Sequence, residues 1–255
     1  MPAGTLGKWM AAAVLAAAMA GVCKGQATAA TTPSGHPDND YWRAHDKQML
    51  NDFGWLERFK EDNVKLGAPK AGEKRVVFMG DSITEGWKLE ESFAGKGYVN
   101  RGISGQTTPQ MLVRFRQDVL ELKPAVVVIL AGTNDIAGNT GPMTLEETEG
   151  NLASMAELAA ANGVKVVLCS VLPAYDYPWH PGLEPAPKID AINTWLKAYA
   201  ERKGFVYVDY HTAMKDTRDG LPAELSKDGV HPLPAGYAVM APLAEAGIAK
   251  ALKQK

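Results

Sequence analysis

Arg75-Val76-Val77-Phe78-Met79-Gly80-Asp81-Ser82-Ile83-Thr84 is an apolar, β-branched run that stops on Gly-Asp-Ser and passes into residues able to open a helix. It reads as a strand, a tight turn and a helix start. The alternation repeats outward to the end of the chain. Short β-branched runs stand at 75–79, 98–100, 125–130, 164–171 and 205–210, and amphipathic runs lie near 109–122, 145–162, 188–203 and 235–252. Strands alternating with helices predict a parallel sheet joined by crossover helices. Helix ends are marked too: Asn162-Gly163 and Lys203-Gly204 supply left-handed C-terminal residues, and Thr144 with Glu147 makes a capping box. The expected fold is α/β, a three-layer α/β/α sandwich around a five-stranded parallel sheet of flavodoxin-like type.

The 255 residues, 46% hydrophobic and 22% charged, suit one core, and no internal repeat divides them. Lys8 followed by the Ala-rich run from Trp9 to Val22 and by Ala27-Thr28-Ala29 has the pattern of a secretory signal peptide over 1–29. A secreted or periplasmic protein is expected, with a lipid anchor through Cys23 as the alternative. Residues 30–40 read as a flexible spacer, and 41–255 as one domain with an N-terminal helical extension over 41–65. In that extension Trp42, Met49, Phe53, Leu56 and Phe59 recur at helical spacing and predict a face packed on the domain. Cys169, inside an apolar run, reads as a buried hydrophobe on a strand.

Net charge is −2, and loss of Lys8 and Lys24 with the leader leaves 25 basic against 29 acidic side chains. A nucleic-acid partner has no electrostatic footprint here. No later run reaches the length of an integral membrane span. His36, His45, His180 and His211 lack a ligand spacing such as His-Glu-x-x-His, so neither a metal nor another cofactor is expected.

Function in such a sheet is sought just after each strand, because ligands bind at the carboxyl ends. Those loops hold Gly80-Asp81-Ser82, then Arg101-Gly102-Ile103-Ser104-Gly105-Gln106, Gly132-Thr133-Asn134-Asp135, an aromatic loop over 173–187, and Asp228-Gly229-Val230-His231-Pro232. Together they contain what ester hydrolysis needs: an alcohol nucleophile, an imidazole base, an orienting acid and oxyanion donors. Ser82 is the nucleophile candidate, His231 the base and Asp228 the acid. The backbone N–H groups of Ser82 and Gly105 and the amide of Asn134 are the oxyanion candidates. Taken singly, Ser82 equally suits a helix cap, and Asn134-Asp135 simple turn chemistry. Asp81 and Asp135 read as structural groups. Tyr175, Tyr177, Trp179 and His180 are candidates for an aromatic wall against a sugar or acyl group, and equally for a packed surface loop.

Gly80-Asp81-Ser82, Gly105, Gly132-Thr133-Asn134-Asp135 and Asp228-Gly229-Val230-His231-Pro232, in this order, resemble the four blocks of the SGNH (GDSL-type) hydrolases, a resemblance that runs from about residue 75 to the end of the chain. The resemblance implies that the family's serine, glycine, asparagine and histidine fall on Ser82, Gly105, Asn134 and His231, with the acid on Asp228. The stretch over 100–108 looks most like the acetylhydrolase branch. Neither a dinucleotide fingerprint, a P-loop nor a Gly-x-Ser-x-Gly elbow is present. The implied function is a serine esterase acting on short acyl esters, acetyl above all, of a small-molecule or carbohydrate substrate. A lysophospholipase or thioesterase acting on longer chains and a non-catalytic glycan-binding protein of the same fold are the alternatives.

Overall fold

A computed structural model of the protein describes residues 31–32 and 35–254. The expected leader and Cys23 lie outside the described residues. In chain order the elements are α1 (Asp40–Asn51), α2 (Lys60–Leu66), β1 (Val76–Gly80), α3 (Ser82–Glu85), α4 (Leu89–Ser92), β2 (Val99–Gly102), α5 (Thr108–Asp118) and β3 (Val126–Leu130). They continue with α6 (Thr133–Ile136), α7 (Leu145–Ala161), β4 (Lys165–Cys169), α8 (Ala186–Lys203), β5 (Val206–Val208), α9 (Tyr210–Met214) and α10 (Pro234–Lys253). Among the described residues the strands form one five-stranded parallel sheet in the order β2-β1-β3-β4-β5, the expected flavodoxin-like arrangement.

Strand residues alternate between two apolar layers, as a sheet covered on both faces requires. Val77, Met79, Val127 and Ile129 pack with Met111 and Phe115 of α5, Leu152 of α7 and Ile189 of α8. Val76, Phe78, Val126 and Val128 pack with Trp87, Phe93 and with Met240 and Ala244 of α10. Cys169 is buried in this second layer, and burial pushes its thiol up to about 12. The marked helix ends behave as read: Gly163 and Gly204 have positive φ, and Thr144 and Glu147 exchange capping hydrogen bonds of 2.8 and 3.1 Å.

The N-terminal extension departs from expectation. Instead of one helix over 41–65, α1 ends at Asn51, the chain turns through Asp52-Phe53-Gly54-Trp55, and α2 is a separate, shorter helix. The turn frees the backbone carbonyls of Phe53, Gly54 and Leu56, which accept from the side-chain amides of Gln110, Gln106 and Gln117 at 2.9, 3.0 and 2.6 Å. A continuous helix would use those carbonyls internally and forfeit the docking onto α5. Of the five apolar positions, Trp42 and Phe59 are buried, whereas Phe53 and Leu56 face solvent. Part of the segment expected as a flexible spacer is built into the fold as well. Thr32 N–H donates to His36 O at 2.8 Å, and the buried His36 ring stacks on Trp42 with centroids 3.7 Å apart.

Two glycines let the first loop close. A Cβ on Gly102 would stand 2.1 Å from the Glu85 nitrogen, and one on Gly80 would stand 2.7 Å from the Leu130 oxygen. Both positions are closed to any side chain because backbone fills the space, so α3 can sit directly on the ends of β1 and β2. Gly150, exposed within α7 with nothing near its missing Cβ, is the opposite case. In urea unfolding, Gly102→Ala is expected to cost about 3 kcal/mol or more. Gly150→Ala should instead add about 0.5 to 1 kcal/mol.

Candidate active site

β1 is paired on both edges, with Gly80 in register with Gly102 of β2 and with Leu130 of β3. Ser82, Gly105 and Asn134 follow two, three and four residues beyond that shared level, at the switch point where a doubly wound sheet binds ligands. Asp81 begins α3, its carboxylate accepting from Ile83 N–H at 2.9 Å, and Ser82 opens that helix half-buried. The loop after β5 approaches from the other side and is tied down by its own carboxylate. Asp228 Oδ1 accepts from Ser226 Oγ at 3.0 Å, Val230 N–H at 3.0 Å and His231 N–H at 2.8 Å.

The structure brings the three separated side chains into one line. His231 Nδ1 lies 2.6 Å from Asp228 Oδ2, and His231 Nε2 lies 2.8 Å from Ser82 Oγ. Burial pushes Asp228 up, but the hydrogen bonds from the backbone and ring of His231 outweigh it and hold the carboxyl at about 2. An ionised Asp228 only accepts, so Nδ1 of His231 is the donor. In the neutral ring Nε2 is then the acceptor and the Ser82 hydroxyl donates to it. This is the polarity a serine nucleophile requires.

Gly105 and Asn134 border the same cleft, of about 390 Å³, as do Ser82, His231 and Trp179. Gly105 has φ +78°. Asn134 Nδ2 spends one hydrogen on Gln106 O at 3.0 Å and keeps a second. Its orientation is set by Asn139, whose Nδ2 donates to Asn134 Oδ1 at 2.9 Å. Asn139 also accepts from Trp179 Nε1 on its Oδ1 at 3.0 Å and from His36 Nε2 on its carbonyl at 3.1 Å. Sequence reading missed Asn139, which carries no motif signal, and missed Tyr41 and Trp42, which line the cleft from α1.

The four aromatic-loop candidates separate. Trp179 borders the cleft with its ring 6.1 Å from that of His231. The other three do not border it. Tyr177 is wholly buried and stacks beneath Trp179, Tyr175 turns to solvent with the Arg218 guanidinium 5.5 Å above its ring, and His180 Nδ1 donates to Ala137 O at 2.7 Å. The loop folds back on the end of α6, so Tyr177 and His180 serve its own packing. Asp81 and Asp135 are buried supports: Asp135 accepts from the backbone N–H and the hydroxyl of Thr108 at the start of α5. Burial pushes Asp81 up to about 7 and Asp135 up to about 6.

Known proteins resemble this chain in sequence and in fold. The model of the GDSL-like lipase/acylhydrolase family matches residues 78–239. The crystal structure of a candidate acylhydrolase from Bacteroides fragilis superposes with a TM-score of 0.76 at 48% identity, covering 79% of this chain and 99% of that one. An acetylxylan esterase of Geobacillus stearothermophilus is 30% identical over 214 residues, 70% of this chain and 93% of the relative. An acetylxylan esterase of Xylanibacter ruminicola is 29% identical over 245 residues, 81% of this chain and 48% of the relative, so the chain spans about half the length of that protein.

Asp81 yields a test of its burial. Its folded value of about 7 lies above the 3.8 of a free aspartate, so between those values the folded state binds more protons than the unfolded one. Stability contributed by the protonated carboxyl is therefore full below about pH 4 and lost as pH rises toward 7. Asp81→Asn keeps an acceptor for Ile83 N–H but cannot ionise. Its unfolding free energy relative to wild type is expected to be flat below pH 4 and to climb, by an amount of the order of a few kcal/mol, between pH 4 and pH 7. Equal pH profiles for the two proteins would show that the carboxyl ionises freely in the fold.

Proposed function

The chain belongs to the GDSL-like lipase/acylhydrolase family and is in class a carboxylic ester hydrolase, and from this we propose that it removes short acyl groups, acetyl above all, from carbohydrate esters through Ser82, His231 and Asp228. The observation that carries the reading is the unbroken hydrogen-bonded line from Ser82 Oγ to Asp228 at 2.8 and 2.6 Å, open to a cleft that also holds Gly105 and Asn134.

In this mechanism Ser82 Oγ attacks the ester carbonyl carbon while its proton passes to His231 Nε2. The carbonyl oxygen becomes an oxyanion held by the N–H groups of Ser82 and Gly105 and by the spare hydrogen of Asn134 Nδ2. Asp228 stabilises the imidazolium and keeps Nδ1 as its donor. When the tetrahedral intermediate collapses, the carbon–oxygen bond to the alcohol breaks and His231 Nε2 returns the proton to the leaving oxygen. Water, deprotonated by the same nitrogen, then attacks the acyl carbon; the bond to Ser82 Oγ breaks, His231 Nε2 returns the proton to Oγ, and the acid is freed. Each step balances without a cofactor.

The acetylxylan esterases among the relatives and the modest cleft support acetyl as the acyl group and a sugar as the alcohol. The leader read in residues 1–29 supports export to the periplasm or medium, where such esters occur. Among the described residues no helix is long and apolar enough to cross a membrane.

With p-nitrophenyl acetate, Ser82→Ala is expected to lower kcat by several orders of magnitude with little change in thermal midpoint, and to abolish labelling by a fluorophosphonate probe. Near-normal turnover by Ser82→Ala would end the mechanism. Asn134→Ala should cost about 10² to 10³ in kcat, the scale of one oxyanion donor. A loss below twofold would remove Asn134 from the oxyanion site.

A further inference from the structure

The cleft is lined in part by residues before the span that the family model matches. The family match begins at residue 78, yet Tyr41 and Trp42 of α1 line the cleft beside Ser82. They form a braced wall. Trp42 is buried and stacked on His36, whose Nε2 donates to the carbonyl of Asn139, and Tyr41 leans edge-on against Trp42 with centroids 5.1 Å apart. The wall stands directly over Gly105. A Cβ placed on Gly105 would lie 3.2 Å from His45 Nε2 and 3.4 Å from the Tyr41 hydroxyl. Tyr41 remains half-exposed, so part of its ring is free to meet a ligand.

The chemistry of acyl transfer assigns a direction to this wall. The leaving oxygen must reach His231 Nε2 to be protonated, which sends the alcohol toward His231 and the neighbouring Trp179. The carbonyl oxygen must point at the donors of Gly105 and Asn134. The acyl substituent is left the remaining side of the cleft, and among the lining residues Tyr41 and Trp42 are the large side chains that serve neither the nucleophile, the leaving oxygen nor the carbonyl oxygen. An acetyl methyl needs little room there, whereas a longer chain runs into Tyr41 and Trp42.

We propose that α1, which lies before the span the family model matches, sets the acyl length this enzyme accepts, with Tyr41 and Trp42 closing the acyl side of the cleft against chains longer than a few carbons. The proposal rests on the serine-esterase reading above and adds to it the residues that exclude long acyl groups. One methylene too many or too few in an apolar pocket changes kcat/KM by about 10- to 200-fold.

The test compares kcat/KM for p-nitrophenyl hexanoate and p-nitrophenyl acetate, which share a leaving group, in wild type, Tyr41→Ala, Tyr41→Phe and Trp42→Leu. Wild type should favour acetate. Tyr41→Ala should raise the hexanoate-to-acetate ratio at least tenfold, Trp42→Leu should raise it as well, and Tyr41→Phe, which keeps the ring, should stay within threefold of wild type. A purely structural role lowers both esters together and leaves the ratio where it was, which would overturn the proposal. So would a wild type that cleaves hexanoate as readily as acetate. Failure of the esterase reading is a separate result, seen as hydrolysis that survives Ser82→Ala whatever the ratio does.

Discussion

The central constraint is the parallel pairing of β1 with both β2 and β3, which brings three strand ends to one level. Each strand hands the chain to a loop at the same edge of the sheet, so groups from three separate stretches of sequence meet without any long excursion. The pairing works only because Gly80 and Gly102 leave room for α3 at that edge. The first turn of α3 then presents the Ser82 hydroxyl upward, and the loop after β5 needs only to lean in with His231.

Carboxylates near this edge differ because their donors differ. Asp228 is half-exposed and its two oxygens accept from Ser226, from the backbone of Val230 and His231, and from the His231 ring, which keeps it ionised. Asp81 is fully buried and accepts from Ile83 N–H, but burial prevails. The same residue type thus serves as an ionised partner of His231 in one place and as a helix cap that resists ionisation in another, both within the field of one imidazole.

Asn139 joins the two walls of the cleft. It accepts from Trp179 on one side and from His36 on the other, and it donates to the amide that faces the nucleophile. A shift of either wall is therefore felt at Asn134 through one buried residue, bound by its side chain on one side and by its backbone carbonyl on the other, since its hydrogen bonds cannot be exchanged for water without cost. This links the segment before residue 78, outside the span the family model matches, to the orientation of the Asn134 amide.

The sheet, its strand order and the meeting of Ser82, Gly105, Asn134, Asp228 and His231 could be read from the chain because they rest on local rules. Apolar runs, glycines at closed turns and a short Asp-to-His spacing act over a few residues, and the switch point follows from the alternation of strands and helices. The break between α1 and α2, the burial of Tyr177, the Asn139 hub and the α1 wall were not legible. Each is settled by partners far away in sequence: Gln110, Gln106 and Gln117 for the turn, and Asn139 for His36 across 103 positions. Periodicity states that a residue has an apolar or a polar face. Which distant group it meets is chosen by packing density and by the requirement that buried donors find acceptors, and those conditions exist only once the chain has closed.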